Sequence, residues 1–173
     1  MMVSGEGREW VHGIRADLVE LAYQDFGYPL GTNEVREPSS AGPTSVPAPL
    51  RELYGACDGL SAPDVHVGYF IDPASRVASA VQRGEPVLVA GVRSYPVHVF
   101  GSDGGGGRFA VGLEDAAVYY LPSSGAVDER KFIENSASPV RRIAASVDDF
   151  LRRLRDDVHA FVQGDDAHEY LVG

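Results

Sequence analysis

At 173 residues the chain is long enough to bury one substantial core and too short for two comfortable ones, so a single domain spanning 1–173 is expected. Hydrophobic residues make up 44% of it, with no run near the roughly 18 needed to cross a bilayer, which predicts a soluble globular protein with no membrane association. A formal charge of −10, with Lys131 the only lysine, argues against direct binding of nucleic acid, whose phosphates call for clustered cations.

The single cysteine, Cys57, excludes an internal disulfide and reads as a small buried thiol in a reducing cytoplasm. The opening MMVSGEGREW has neither a basic start nor an apolar stretch, so no secretory signal is expected and a cytoplasmic location is. The acidity serves solubility or steers the protein toward a basic partner; net charge alone does not choose between them.

From about Glu6 to Phe26, residues Trp10, Ile14, Leu18, Leu21 and Ala22 recur at spacings of three and four, which predicts an amphipathic helix ended by Gly27 and Pro29. Segment 30–48 is interrupted by Gly31, Pro38, Gly42, Pro43 and Pro47 and has few large apolar groups, so a long surface loop is expected. In VPAPLRELYGACDGL, Leu50, Leu53, Tyr54 and Cys57 form the stripe of a short helix, with Gly59 as its left-handed stop. Val65 to Ile71 alternates like a strand closed by Asp72 and Pro73, Ala74 to Gln82 reads as a short helix, and Val87 to Val92 as another strand.

The stretch FGSDGGGGRFAV, Phe100 to Val111, joins two alternating apolar runs. Before the glycines, Val97, Val99 and Gly101 point one way and His98 and Phe100 the other; after them, Phe109, Val111 and Leu113 share a face opposite Arg108 and Ala110. That pattern predicts a hairpin in which Asp103 bonds its own backbone and the glycines supply positive φ. Glycine runs also cradle phosphates, but such loops enter a helix and usually bring a lysine, whereas Arg108 and Phe109 continue as a strand. Further strands follow at Ala116 to Leu121 and, after a turn at Pro122 to Gly125, at Ala126 and Val127; with no crossover helix between strands, an antiparallel meander is predicted.

The clearest helix comes last. Ser146 and Asp149 make a capping-box variant, Asp148 adds charge to the first turn, and Phe150, Leu151, Leu154, Val158, Phe161 and Val162 keep helical spacing up to Gly164. Arg152, Arg153, Arg155, Asp156 and Asp157 read as its solvated side, and 165–173 as a polar tail free to fray. The fold class expected is α+β, an antiparallel meander sheet packed against N- and C-terminal helices.

Taken in order, the N-terminal helix, PxxLRELYxxxDG, a strand, the meander with FGSDGGGGRFAV and the closing SVDDFLRRL helix resemble the SUKH superfamily of fungal cell-wall synthesis regulators and bacterial immunity proteins. The resemblance covers roughly Val46 to Val162 and is carried by Leu50, Leu53, Tyr54 and Gly59, by Phe100, Gly101, Asp103, Gly104 and Gly105, and by Phe150 and Leu151. With Phe109, the hairpin residues are expected to be structural. The chain departs from the pattern at Gly107 and Arg108, where a polar residue is common, and in the length of its 30–48 loop. The resemblance implies a non-catalytic binding module, and for bacterial relatives an immunity protein that neutralises the toxin domain, of nuclease or deaminase type, of a polymorphic toxin system.

The residues themselves offer no catalytic constellation. His12, His66, His98, His159 and His168 show no HExxH, HxE or CxxC spacing, so neither a metal nor a cofactor is expected, and the serines lack a GxSxG elbow. The leading expectation is a binder for a basic protein, with Asp58, Asp64, Asp103, Glu114 and Asp115 as electrostatic contacts and Tyr54, Tyr69 and Tyr119 as anchors. Two alternatives remain: an intracellular scaffold or regulator of the cell-wall synthesis regulator type, and a nucleotide binder using the glycine turn.

Overall fold

The structure is a computed structural model that describes residues 4–39, 43–137 and 139–173. Helix α1 (Ser4–Ala22) buries Trp10, Ile14, Leu18 and Leu21, four of the five residues its spacing singled out, and Val11 beside them; Ala22, the last residue, is exposed. Helix α4 (Val147–Gln163) begins at Ser146, whose Oγ accepts from Asp149 N at 3.1 Å, while Asp149 Oδ2 accepts from Ala145 N at 3.0 Å. It ends at Gly164 in the left-handed region with φ of 68°, a conformation that frees the chain to turn away.

The two helices are joined rung by rung. Trp10 Nε1 donates to Leu151 O at 2.6 Å, His159 Nδ1 donates to Asp17 Oδ1 at 2.9 Å, and Gln163 Nε2 donates to Glu20 Oε1 at 3.1 Å. Residue numbers rise together along both, so α1 and α4 run parallel and their N-termini lie at one end of the molecule.

Between them in the chain lie short elements: strand β1 (Glu34–Val35), helix α2 (Arg51–Ala56), strands β2 (Leu60–Ala62) and β3 (Tyr69–Ile71), helix α3 (Ala74–Ala78) and strands β4 (Leu88–Ala90), β5 (Tyr95–Asp103), β6 (Arg108–Gly112), β7 (Val118–Leu121), β8 (Ala126–Asp128), β9 (Lys131–Ile133) and β10 (Arg141–Ala144). The main sheet is antiparallel throughout, in the order β1-β2-β3-β5-β6-β7-β10. The α+β class with helices from both ends of the chain is therefore the fold observed.

The central sheet is apolar on both faces. Phe100, Phe109, Val111 and Val118 pack with α1 and α4, whereas Val97, Val99, Ala110 and Leu121 pack with Val89 and Phe132 of a small outer leaf. Alternation along β5 turns Val99 to the leaf and Phe100 to the helices, where it meets Phe150 edge-on at 5.5 Å, and a register shift between Val99 and Gly101 then sets Gly101 opposite Phe109. The leaf is β8-β9-β4, attached through β4 to the first residues of β5.

Several expectations are corrected. The 30–48 segment is more than surface loop: it contributes the edge strand β1, buries Val35 and Val46, and forms a 3₁₀ turn at Pro43–Ser45; residues 40–42 lie outside the described part. The predicted strand 65–71 survives only as β3, because His66 and Gly68 have φ of 52° and 87° and turn the chain after β2. The β4/β9 pair is parallel, since the intervening strands themselves supply the long connection that parallel pairing needs. Leu113, placed on the Phe109 face, lies beyond β6 and is exposed. Gly59 has φ of 90° but does not stop α2, which closes at Cys57; a side chain there would strike Ile71 O across the β2/β3 junction.

The tail 165–173 is docked, and Asp157 belongs to the interior. Tyr69 OH and Leu171 N donate to Asp157 Oδ2 at 2.6 and 2.9 Å, His168 Nε2 donates to Oδ1 at 2.7 Å, and Val172 is buried. Three donors satisfy a carboxylate that would otherwise be costly to enclose.

Candidate functional site

The glycine turn joins β5 directly to β6. Asp103 Oδ1 accepts from Gly105 N at 2.9 Å and Gly107 N at 2.7 Å, and its Oδ2 accepts from Tyr120 OH at 2.6 Å. The amides that an anion would need are thus already taken by a carboxylate, and the chain leaves as a strand. Of the four glycines only Gly106 has positive φ; at Gly107 a Cβ would strike the Tyr120 ring. The turn is architecture, and Asp103, buried, is corrected from a partner contact to its internal brace.

Tyr54 and Tyr69 are likewise interior. Tyr54 OH donates to Asp72 O at 2.6 Å, Tyr69 OH serves Asp157, and burial holds both phenols well above their ordinary range. Neither is an anchor on this surface. Asp58 is half-buried, its Oδ1 accepting from Ala74 N at 2.7 Å at the start of α3. Asp64 Oδ2 takes Gly31 N at 2.7 Å and Asn33 Nδ2 at 2.6 Å, tying the 30–48 segment down.

The β6–β7 turn is where the expected contacts do reach solvent. Glu114 and Asp115 are exposed and Tyr119 is half-buried, its OH donating to Asp115 Oδ2 at 2.7 Å. Partial burial alone would raise the Asp115 carboxyl, but bonds from Tyr119 OH and Ala117 N and the charge of Arg142 outweigh it and leave the group lowered. It therefore stays ionised in neutral solution.

Next to this turn the sequence reading missed a groove where three helix N-termini converge. A cavity of about 270 Å³ has Pro49, Ala116 and Val147 as its apolar lining and Glu52 and Asp148 as its acids. It shares Asp148 with a second cavity of about 520 Å³ floored by Trp10 and edged by Glu6, Glu9 and Arg155. Glu6, Glu52, Asp148 and Asp149 stand in the first turns of α1, α2 and α4, where the helix dipole favours negative charge. That placement was visible in the sequence; the meeting of the three ends was not.

At the opposite end a cavity of about 510 Å³ lies between the ends of α1 and α4 and the docked tail. His66, turned outward by its positive φ, stacks on Tyr170 at 4.0 Å and donates through Nε2 to Val172 O at 2.8 Å. His98 instead donates to Val77 O at 2.8 Å, so the two histidines do not meet. Among the described residues no three His, Cys, Asp or Glu side chains gather as metal ligands would, and no helix is long and apolar enough to cross a membrane.

No protein-family model matches the chain, and comparison with curated proteins and with solved structures gives no match.

Proposed function

We propose that the protein is a non-enzymatic binding module that captures a basic protein partner in the groove formed by the N-terminal ends of α1, α2 and α4. The observation that carries this reading is the groove's make-up: an apolar floor of Trp10, Pro49 and Val147 with Glu6, Glu9, Glu52, Asp148, Asp149 and Asp156 outnumbering Arg152 and Arg155 around it, and Glu114 and Asp115 on the adjoining turn. Apolar floors with charged rims give affinity and orientation together, and the surplus of carboxylates steers a cationic protein toward them. The SUKH-like order of motifs supports an immunity role in the bacterial cytoplasm, with a nuclease or deaminase toxin domain as the partner. Such enzymes present basic substrate channels that an acidic groove complements.

The test is co-expression with any toxin domain found encoded beside this gene. The chain should restore growth and form a complex that weakens steeply with salt, and Glu52→Lys with Asp148→Lys should lower affinity by at least about tenfold. Growth arrest despite soluble chain, or a complex indifferent to both reversals, would sink the proposal. Several weak partners and no neighbouring toxin would favour the scaffold reading in its place.

A further inference from the structure

The two ends of the α1/α4 pair are treated differently. Because the helices run parallel, the negative poles of both macrodipoles lie together at their C-terminal ends. At the other end, acids in the first turns offset the positive poles; here neither helix has a basic residue in its last turn. The chain instead adds Asp165 and Asp166 directly after Gly164.

The cavity at this end is walled by rings and carboxylates: Phe26, Phe161, His66 and Tyr170, with Asp165 and Asp166. The rings form two stacked pairs, Phe26 on Phe161 at 6.1 Å and 12°, and His66 on Tyr170 at 4.0 Å and 8°. Tyr28 lies 5.8 Å from Phe26, and it and Tyr23 are 55% and 87% exposed. Burial first, then the charges of Asp157, Asp165 and Asp166, holds the Tyr170 phenol above its ordinary range, so the acids' field reaches the cavity wall.

We propose that this cleft recognises the guanidinium of an arginine side chain presented by a protein partner. Aromatic faces, paired carboxylates and two helix C-termini all favour a cation. A planar cation fits better than a compact one, since it stacks on a ring while its fork meets a carboxylate edge. The N-terminal groove is at the other end of the helix pair, so this inference stands or falls apart from the reading given to that groove.

The full chain is titrated with N-acetyl-arginine amide and followed by NMR of ring and backbone resonances, with N-acetyl-citrulline amide as the uncharged isostere and N-acetyl-lysine amide as the compact cation. Saturable shifts at Phe26, Phe161, Gly164 and Tyr170 are expected with the arginine probe, and binding at least about fivefold weaker with either of the others. The double variant Asp165→Asn, Asp166→Asn should lose a similar factor. It keeps the amide oxygen that can accept from Ala167 N, a bond made now by Asp165 Oδ1 at 3.1 Å, so the turn is retained. Phe161→Leu, which preserves apolar bulk against the core, should weaken the arginine probe by about threefold with the thermal midpoint little changed. Equal binding of citrulline or lysine, shifts mapping to the N-terminal groove, or no saturable shift would each overturn the proposal.

Discussion

A carboxylate that accepts from two backbone amides and a phenol cannot be shortened without leaving all three donors unmet, and Asp103 occupies that position under the glycine turn. Asp103→Ala is therefore expected to lower stability by about 2–4 kcal/mol in urea unfolding, as buried Gly107 N and the half-buried Tyr120 OH lose their acceptor and the turn its brace. The Tyr120 phenol gives a second readout. It is pushed up to about 12, by burial first and then by its bond to Asp103 and that residue's charge. A phenol raised in the folded state contributes stability that is complete below its unfolded value of about 10 and is lost as pH climbs through the folded one. In Asp103→Ala the folded value moves back toward the unfolded one, so the stability lost between about pH 10 and 12 should be smaller than in the parent chain. An unfolding midpoint that stays put, with an unchanged alkaline limb, would show that the turn is held by its glycines alone.

At the scale of elements, α4 carries the clearest local signals and also the least visible partner. Its start and stop were legible because caps are local: Ser146, Asp149 and Gly164 act within four residues of where they stand. The segment that folds back on it was not, because GDDAHEYLVG offers few apolar residues and its holding bonds run to Asp157 and His66. His168→Ala removes one of the three donors to buried Asp157 and should cost about 1–3 kcal/mol. Amide exchange at 169–172 should quicken while the middle of α4 stays protected; uniform protection would mean the tail is held by Val172 and the His66/Tyr170 stack alone. The same distinction explains the site residues. Loop acids were legible as acids, but whether each faces solvent or braces the backbone depends on its neighbours in space, and Asp58, Asp64 and Asp103 all proved to be braces. Edge strand β1 escaped notice for a like reason: Arg36, beside it, is fixed by Asp58 O at 2.8 Å, a contact across 22 positions of sequence.

Across the whole molecule the sheet divides two apolar cores of unequal size. The helix side gathers side chains from α1, α2, α4 and seven strands, while the leaf side rests on Val89 and Phe132 against Val97, Val99, Ala110 and Leu121. Every residue of β8 is exposed. The leaf should then be the less stable unit, opening without the rest, because so little apolar surface ties it to β5–β7. Phe132 is its one large buried ring, closed over by the backbone of Gly125. Phe132→Ala should cost about 3–5 kcal/mol of leaf stability and bring the amides of β4, β8 and β9 near free exchange, whereas α1, α4 and β6 keep theirs. The groove at the helix N-termini and the ring-lined cleft both draw their walls from the other layer, so partner and arginine binding should persist in that variant. If the helices lost protection in step with the leaf, the sheet would be transmitting the damage and the two cores would count as one cooperative unit.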